Sequence, residues 1–244
     1  MEINKKYKSP PIKEAIFELF FESINWTPAT PGIFFNLVKD KFPIIIQLPG
    51  GFGISFMQGI QVGPGNNGII QFKSEDGKSI IQLSNNLLTV NRLPEYIGWE
   101  FYKIMILYSI ECLNKSLKIT KINRVGLKSI NKIDIKSHSY ENFKRCFNVY
   151  PTLVDSANTN LNSIILNYES FLNENKDVLA VHIATLNKEI GYEAPALFQL
   201  YYTRITDVKE NLIEEWLETA HKQLYESFDT ILTTECKSSF DNDK

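Results

Sequence analysis

The stretch Glu14-Ala-Ile-Phe-Glu-Leu-Phe-Phe-Glu22 decides how the fold begins. Its odd-numbered residues, from Ala15 to Phe21, are apolar, whereas three of its even-numbered residues are glutamates. Successive side chains of a strand lie on opposite faces of a sheet, so this alternation is typical of a strand that is buried on one side. The sequence therefore predicts a first β-strand with an apolar face and an acidic face.

Turn and helix signals divide the rest of the first half into short elements. Thr30 and Pro31 have the form of a helix N-terminus, and apolar residues recur at helical spacing until Pro43. Pro94 opens a second helix to Leu117, whose many apolar residues predict a central helix covered by protein. Between these helices, turn residues separate β-rich runs, which predict an antiparallel meander. The runs cover residues 44–48, 53–61, 69–74, 79–83 and 87–91.

The second half repeats this order of elements. A long strand at 121–136 is followed by a short helix at 140–147, three strands and a closing helix at 208–236. The three strands cover residues 164–172, 178–187 and 196–206.

The repeated order predicts an α+β fold of two packed strand–helix–meander–helix halves, residues 1–117 and 118–244. We expect mainly antiparallel curved sheets and a long C-terminal helix. The seam between the halves lacks a Gly-, Ser- or Pro-rich linker, so we expect them to be packed as one unit.

Composition restricts the class of protein. The chain has 244 residues, a formal net charge of −2 and three cysteines. No apolar run approaches the roughly 20 residues of a membrane span, and the polar N-terminus lacks the apolar centre of a signal peptide. We therefore expect a cytoplasmic protein without membrane contact. The cysteines form no CxxC pair, which argues against a disulfide framework and a thiolate zinc site, and we expect ordinary reduced thiols.

No motif for catalysis or cofactor binding is present in the sequence. His138, His182 and His221 are dispersed without an HExxH pattern, and no GxSxG motif occurs. Gly63 and Gly65 are followed by a β-run rather than by a helix, so they predict a hairpin loop and not a phosphate loop. The sequence thus predicts no catalytic residue, no cofactor and no metal site, and an enzyme is the less favoured class.

Charge is segregated along the chain. Between Lys115 and Arg145 there are nine Lys or Arg residues, and four of them share one face of the predicted long strand: Arg124, Lys128, Lys132 and Lys136. We call the first three of these the basic ridge. A row of cations can contact phosphates, but a domain with near-zero net charge is not typical of nucleic-acid binders. We therefore expect the ridge to neighbour the acidic first strand in one sheet.

Several segments, taken in order, resemble a known family. They are the opening PPIKEAIFE at 10–18, the QLS and NRLP motifs at 82–84 and 91–94 with Gly98-Trp99, the strand RVGLKSINKI at 124–133, and the closing helix at 212–234. Together they resemble a sporadically distributed, functionally uncharacterised prokaryotic family of about this length. The resemblance implies no reaction, cofactor or substrate. It implies genes that come and go between strains, as those of mobile elements, defence systems and toxin–antitoxin-like loci do.

The chain departs from the family pattern in the basic strand. Lys128, Ser129 and Lys132 stand where the resemblance leads us to expect Arg, Tyr and Arg. A lysine cannot reproduce the planar fork of an arginine, so a bidentate contact with a carboxylate or phosphate is not expected here.

The sequence leaves three hypotheses for the function open. The first is a non-enzymatic interaction protein of such a locus that recognises a protein partner. The alternative is a nucleotide- or nucleic-acid-binding protein, in one form an enzyme, that uses a basic sheet face. The third is a small-ligand binder with a pocket between sheet and helix. The candidate binding residues are Arg92, Trp99, Arg124, Lys128, Asn131 and Lys132.

The closing helix is predicted to be long enough to extend beyond the core. Its apolar stripe continues through Phe228, Ile231 and Leu232, so the distal end is a candidate interface between two copies of the chain. The sequence thus predicts a homodimer through the C-terminal helix, with burial inside one chain as the alternative.

Overall fold

The structure is a computed structural model that describes residues 7–48, 68–152, 162–186, 194–205 and 208–241. Within these residues it has a nine-stranded antiparallel sheet and five α-helices, which confirms the predicted α+β class. The elements follow in the order β1 (Ile12–Ser23), α1 (Thr30–Val38), β2 (Ile44–Gln47), β3 (Ile70–Lys73), β4 (Ser79–Leu83), β5 (Leu87–Arg92), α2 (Trp99–Ser116), β6 (Ile119–Asp134), α3 (Tyr140–Cys146), β7 (Ile165–Leu172), β8 (Asp177–Thr185), β9 (Pro195–Arg204), α4 (Ile213–Ile231) and α5 (Thr234–Ser238).

The strand order in the sheet is β2-β3-β4-β5-β1-β6-β9-β8-β7. The acidic strand β1 and the basic strand β6 are therefore neighbours, as the charge pattern predicts. The backbone N–H of Lys132 donates to the carbonyl of Pro11 at 3.0 Å. Along this strand pair Glu22 forms an ion pair with Lys121 at 3.7 Å, a lysine outside the basic ridge.

The chain divides into two compact units, which are described separately. The first unit comprises Ile16–Gly126 and Ile205–Glu214. The second unit comprises Met1–Ala15, Leu127–Arg204 and Glu215–Lys244. Strands β1 and β6 each contribute residues to both units. The predicted halves 1–117 and 118–244 stay a prediction.

The core of the first unit forms where α1 and α2 cover one face of its strands. The odd-numbered residues Phe17, Leu19 and Phe21 of β1 are buried, as the alternation of the sequence predicts. Helix α2 is fixed to β5 by the buried Tyr102, whose hydroxyl donates to the carbonyl of Val90 at 2.7 Å. This contact satisfies a polar group that burial would otherwise leave without a hydrogen bond.

Helix α2 begins later than the sequence suggests. It starts at Trp99 instead of Pro94, because Gly98 at φ 94° precedes it in a non-helical conformation. The carbonyl of Glu95 accepts hydrogen bonds from the guanidinium of Arg92 instead of entering a helix. The expectation that protein covers this helix is wrong for one of its faces, since Phe101 is 66% exposed.

The second unit packs α3, α4 and α5 against its strands. Phe198 of β9 stacks on Phe228 of α4, with ring centroids 6.0 Å apart. Helix α4 ends at Ile231, earlier than the predicted Cys236, because the backbone N–H of Thr233 donates to the carbonyl of Cys146. Thr233 then caps α5 through its hydroxyl. At 1.5 Å per residue α4 is about 28 Å long, shorter than predicted.

Some predictions concern residues that the structure does not describe. The strand predicted at 53–61 and the predicted hairpin loop with Gly63 and Gly65 lie outside the described residues. In the described part of the chain, none of the helices combines the length and apolarity needed to cross a membrane.

Candidate functional site

Arg92 lies at the end of β5 with its side chain almost fully buried. Its Nε and one terminal nitrogen donate to the carbonyl of Glu95, at 3.2 and 3.0 Å. The other terminal nitrogen donates to Ser79 Oγ at 2.8 Å and lies 3.7 Å from a carboxylate oxygen of Asp76. The guanidinium therefore organises the two loops beside it, and its role in binding stays a prediction.

Trp99 opens α2 and is buried in the first unit. Its ring makes an edge contact with Tyr102, with centroids 6.3 Å apart. Tyr102 also contacts the ring of Tyr96 at 6.1 Å. Trp99 thus belongs to an aromatic cluster at the start of the helix, and its predicted binding role is untested.

Arg124 of the basic ridge lies over an aromatic ring in the first unit. Its guanidinium carbon is 3.9 Å from the centre of the Phe20 ring, which comes from β1. Among the described residues, Arg124 Nε is buried without a hydrogen-bond partner. A cation over the face of a ring is attracted by the ring quadrupole, so this contact stabilises the pairing of the two strands.

Lys128 makes the same kind of contact in the second unit. Its Nζ lies 4.7 Å from the centre of the Tyr201 ring of β9. Asn131 is buried three residues further along β6, and its Nδ2 donates to the carbonyl of Phe198 at 3.2 Å. Lys132 is half-buried on the same strand. Lys128 and Asn131 therefore both connect β6 to β9.

Aromatic rings lie beside the basic ridge although none is near it in the sequence. No aromatic residue is interleaved with Arg124, Lys128 and Lys132 along the chain, which argues against single-strand nucleic-acid binding. The fold nevertheless brings Phe20 and Tyr201 beside two of these cations from other strands. Sequence adjacency alone could not reveal these rings.

The predicted interface at the C-terminal helix lies mostly inside the second unit. Ile231 and Leu232 are buried, and Phe228 packs against Phe198 and Phe240. Leu232 also bridges to Phe147 through the backbone. The three residues thus stabilise the second unit itself, and the homodimer stays a prediction.

A polar row crosses β7, β8 and β9, in which His182 and Gln199 are buried and Asn167 is exposed. Asn167, His182 and Gln199 lie directly opposite one another in the strand register. His182 Nδ1 donates to Asn167 Oδ1, and burial lowers the pKa of His182 from its usual value. Among the described residues, Nε2 of the buried Gln199 lacks a hydrogen-bond partner. The row therefore favours a neutral imidazole and leaves one amide donor unsatisfied.

An apolar surface on the first unit was missed by the sequence analysis. Phe101 is 66% exposed and Ile104 is 59% exposed, and Tyr108 continues their stripe one turn along α2. On α1, Ile33 and Leu37 are partly exposed one turn apart. The two stripes meet where the Tyr108 hydroxyl donates to the carbonyl of Leu37 at 2.7 Å. We call these five residues the α1–α2 surface.

Charges of both signs surround the α1–α2 surface. Lys41 Nζ lies 4.1 Å above the ring of Tyr108, and burial together with Cys112, Asp40 and Glu111 raises the pKa of Tyr108 to about 12. On α2 itself, Lys103 pairs with Glu100 and Lys115 pairs with Glu111. An apolar centre with a polar rim is the usual anatomy of a protein–protein interface.

A search of protein-family models and of curated proteins finds no match to this chain. The resemblance to a sporadically distributed prokaryotic family stays a prediction.

Proposed function

We propose that the protein is a non-enzymatic interaction protein that recognises a protein partner through the α1–α2 surface. The observation that carries this proposal is the exposure of Phe101 and Ile104, at 66% and 59%, on a stripe continuous with α1. Grouped apolar side chains exposed to water are typical of interaction sites, because covering them removes apolar area from water.

The chemistry of the surface favours one kind of partner. Two adjacent helices present ridges that suit the apolar face of a third helix. The mixed charges of the rim, such as Lys103 beside Glu100, fit a protein better than a uniformly anionic nucleic acid or lipid surface. The occupant is therefore an amphipathic helix of another protein.

The setting of this interaction is also part of the proposal. The resembled family has genes that come and go between strains, so the partner belongs to a mobile, defence or toxin–antitoxin-like locus, and the complex forms in the cytoplasm. The order of elements, strand–helix–strands–helix from β1 to α2 and again from β6 to α4, supports a chain built of two such halves.

Photo-crosslinking at matched positions tests the proposal. A photoreactive phenylalanine analogue replaces Phe101 in one variant and Phe171, which is 68% exposed on β7, in the other. After irradiation in the native host, we expect a protein adduct of defined mass only from position 101. Adding Ile104→Asp should abolish that adduct, and the purified partner should bind the wild type but not this variant.

Three results would overturn the proposal. They are equal adducts from both positions, no adduct from position 101, and an adduct that is nucleic acid or a second copy of the same chain. Phe171 is the suitable control because the residue type and exposure are the same while its strand lies in the other unit.

The alternative function rests on the rings beside the basic ridge. Phe20 and Tyr201 lie next to Arg124 and Lys128, and cations combined with aromatic faces are how single-stranded nucleic acids are bound. In this chain the cations themselves cover the rings, which favours a structural role. A salt-dependent binding assay with ridge variants separates the two roles.

A further inference from the structure

Two cysteines that are far apart in the sequence meet in the second unit. Cys146 is the last residue of α3, and Cys236 lies in α5. Both side chains are buried, and both line the same small cavity. Cys146 Sγ also lies 3.7 Å from the carbonyl oxygen of Asp134.

Backbone contacts hold the two helices in this arrangement. The N–H of Thr233 donates to the carbonyl of Cys146 at 3.0 Å, and the N–H of Asn148 donates to the carbonyl of Ile231 at 2.8 Å. Asn148 Nδ2 also donates to the backbone carbonyls of Thr230 and Leu232. The end of α3 and the junction before α5 are thus joined on both sides of the thiol pair.

The thiol pair lines a small cavity. The cavity has a volume of about 80 Å³ and opens to solvent. Besides both cysteines, its lining includes two cationic side chains, Lys136 and Arg145, and two acidic ones, Asp134 and Glu235. This volume admits an oxidant of a few atoms, such as hydrogen peroxide.

We propose that Cys146 and Cys236 form a peroxide-responsive thiol pair that closes reversibly into a disulfide between α3 and α5. The pair would tie the C-terminal segment of the second unit to α3 under oxidising conditions and release it when thiol reductants return. Cytosolic disulfides are usually of this transient, redox-sensing kind.

The chemistry proceeds in two balanced steps. The Cys146 thiolate attacks one oxygen of hydrogen peroxide, the O–O bond breaks, and with one proton the products are Cys146 sulfenic acid and water. The Cys236 sulfur then attacks Cys146 Sγ, the S–O bond breaks, and a second water leaves with the proton of Cys236. In total, two thiols lose two electrons and two protons to one peroxide molecule.

The coupling between the two thiols favours one cysteine as the attacking residue. The neighbouring Cys236 thiol lowers the pKa of Cys146, although burial opposes this shift, whereas Cys146 and burial both raise the pKa of Cys236. The thiolate is the reactive form of cysteine, so Cys146 is the attacking residue and Cys236 the resolving one.

The remaining cysteine provides a matched control. Cys112 is buried in α2 of the first unit beside Tyr108, and burial raises its pKa. The variant Cys112→Ser therefore keeps the thiol pair and removes only an unreactive thiol.

Peroxide treatment of the full chain tests the proposal. In the wild type and in Cys112→Ser, we expect the loss of two hydrogen atoms in the intact mass, a crosslinked peptide joining Cys146 to Cys236, and full reversal by dithiothreitol. In Cys236→Ser, we expect a sulfenic acid at Cys146 that dimedone traps. In Cys146→Ser, the crosslink should be absent.

The wild-type crosslink map does not depend on whether the variants fold. The proposal is overturned if peroxide leaves all three thiols intact or oxidises Cys112 as fast as Cys146. It is also overturned if Cys146 passes to sulfinic acid without forming the crosslink.

Discussion

Asp177 and Arg204 form a two-pronged ion pair in which the carboxylate is completely buried. Arg204 Nε donates to one carboxylate oxygen at 2.6 Å, and a terminal nitrogen donates to the other at 2.7 Å. The Tyr202 hydroxyl and the Trp216 indole N–H donate to the same carboxylate at 2.8 and 3.3 Å, and Asn173 Nδ2 donates as well. This carboxylate therefore connects the β8–β9 hairpin to α4.

Replacing the carboxylate should destabilise the protein strongly. In Asp177→Asn the amide keeps the shape but loses the charge, and the buried ion pair with the Arg204 guanidinium is lost. Removing one member of a buried pair costs about 3–5 kcal/mol, and we expect a loss of that size in the free energy of unfolding measured in urea. The control Glu174→Gln changes an exposed acid that, among the described residues, forms an ion pair with Lys176 alone, and it should shift that free energy by no more than about 0.5 kcal/mol.

The same carboxylate should make stability depend on pH. Burial by itself raises the pKa of Asp177, but the hydrogen bonds from Arg204, Asn173 and Tyr202 outweigh it and hold the pKa below its usual value. The unfolded chain therefore takes up a proton first, and the stabilisation is lost as pH falls through the folded pKa. We expect the unfolding free energies of wild type and Asp177→Asn to differ fully above the unfolded pKa of about 3.9, and to converge as the pH falls through the lower pKa of the folded state.

Urea midpoints measured across the acidic range check this expectation. His182 also has a pKa lowered by burial, but a histidine begins to titrate near its unfolded value of about 6.5, so its contribution falls in a higher window. A difference between wild type and Asp177→Asn that stays constant down to strongly acidic pH would contradict the assignment.

Arg92 should not tolerate replacement by lysine. Its guanidinium donates twice to the carbonyl of Glu95 and once to Ser79, a fork that an ammonium cannot reproduce. We expect Arg92→Lys to lower the free energy of unfolding by about 1–3 kcal/mol, the cost of unsatisfied buried groups. The exposed Arg145 is the control, and Arg145→Lys should be nearly neutral. Equal effects of the two changes would show that the fork is not structural.

The sequence predicts the elements of this fold better than its sites, and β1 and α2 show why. In β1, polar and apolar residues alternate, so the pattern identifies the buried face containing Phe17 and Leu19. In α2, both faces are apolar, so the pattern cannot distinguish the buried Ile106 from the exposed Phe101 and Ile104. Periodicity detects a difference in hydrophobicity between the two faces of an element. An exposed face made of apolar residues does not differ in this way from a buried face.

Contacts that join distant parts of the chain were equally hidden. Cys146 and Cys236 carry no motif, and only the return of the chain after α4 places their thiols together. The rings beside Arg124 and Lys128 come from two different strands, so the spacing of residues within the basic strand could not predict them. Long-range pairing is set by the register of strands and by helix packing, neither of which a single sequence specifies.

The basic ridge should prove structural when its charges are removed. In Arg124→Gln and Lys128→Gln, each loss of a cation from a ring should cost about 0.5–2 kcal/mol of unfolding free energy, because the contacts with Phe20 and Tyr201 are partly desolvated. Lys121 is the matched control: it lies on the same strand, is exposed and, within the part of the chain that the structure describes, pairs with the exposed Glu22 alone, so Lys121→Gln should be nearly neutral. Binding of single-stranded DNA and RNA, measured at low and high salt, should be weak and equal for all four proteins. Tight binding that falls steeply with salt, and that disappears in Arg124→Gln and Lys128→Gln while both remain folded, would establish the nucleic-acid function instead.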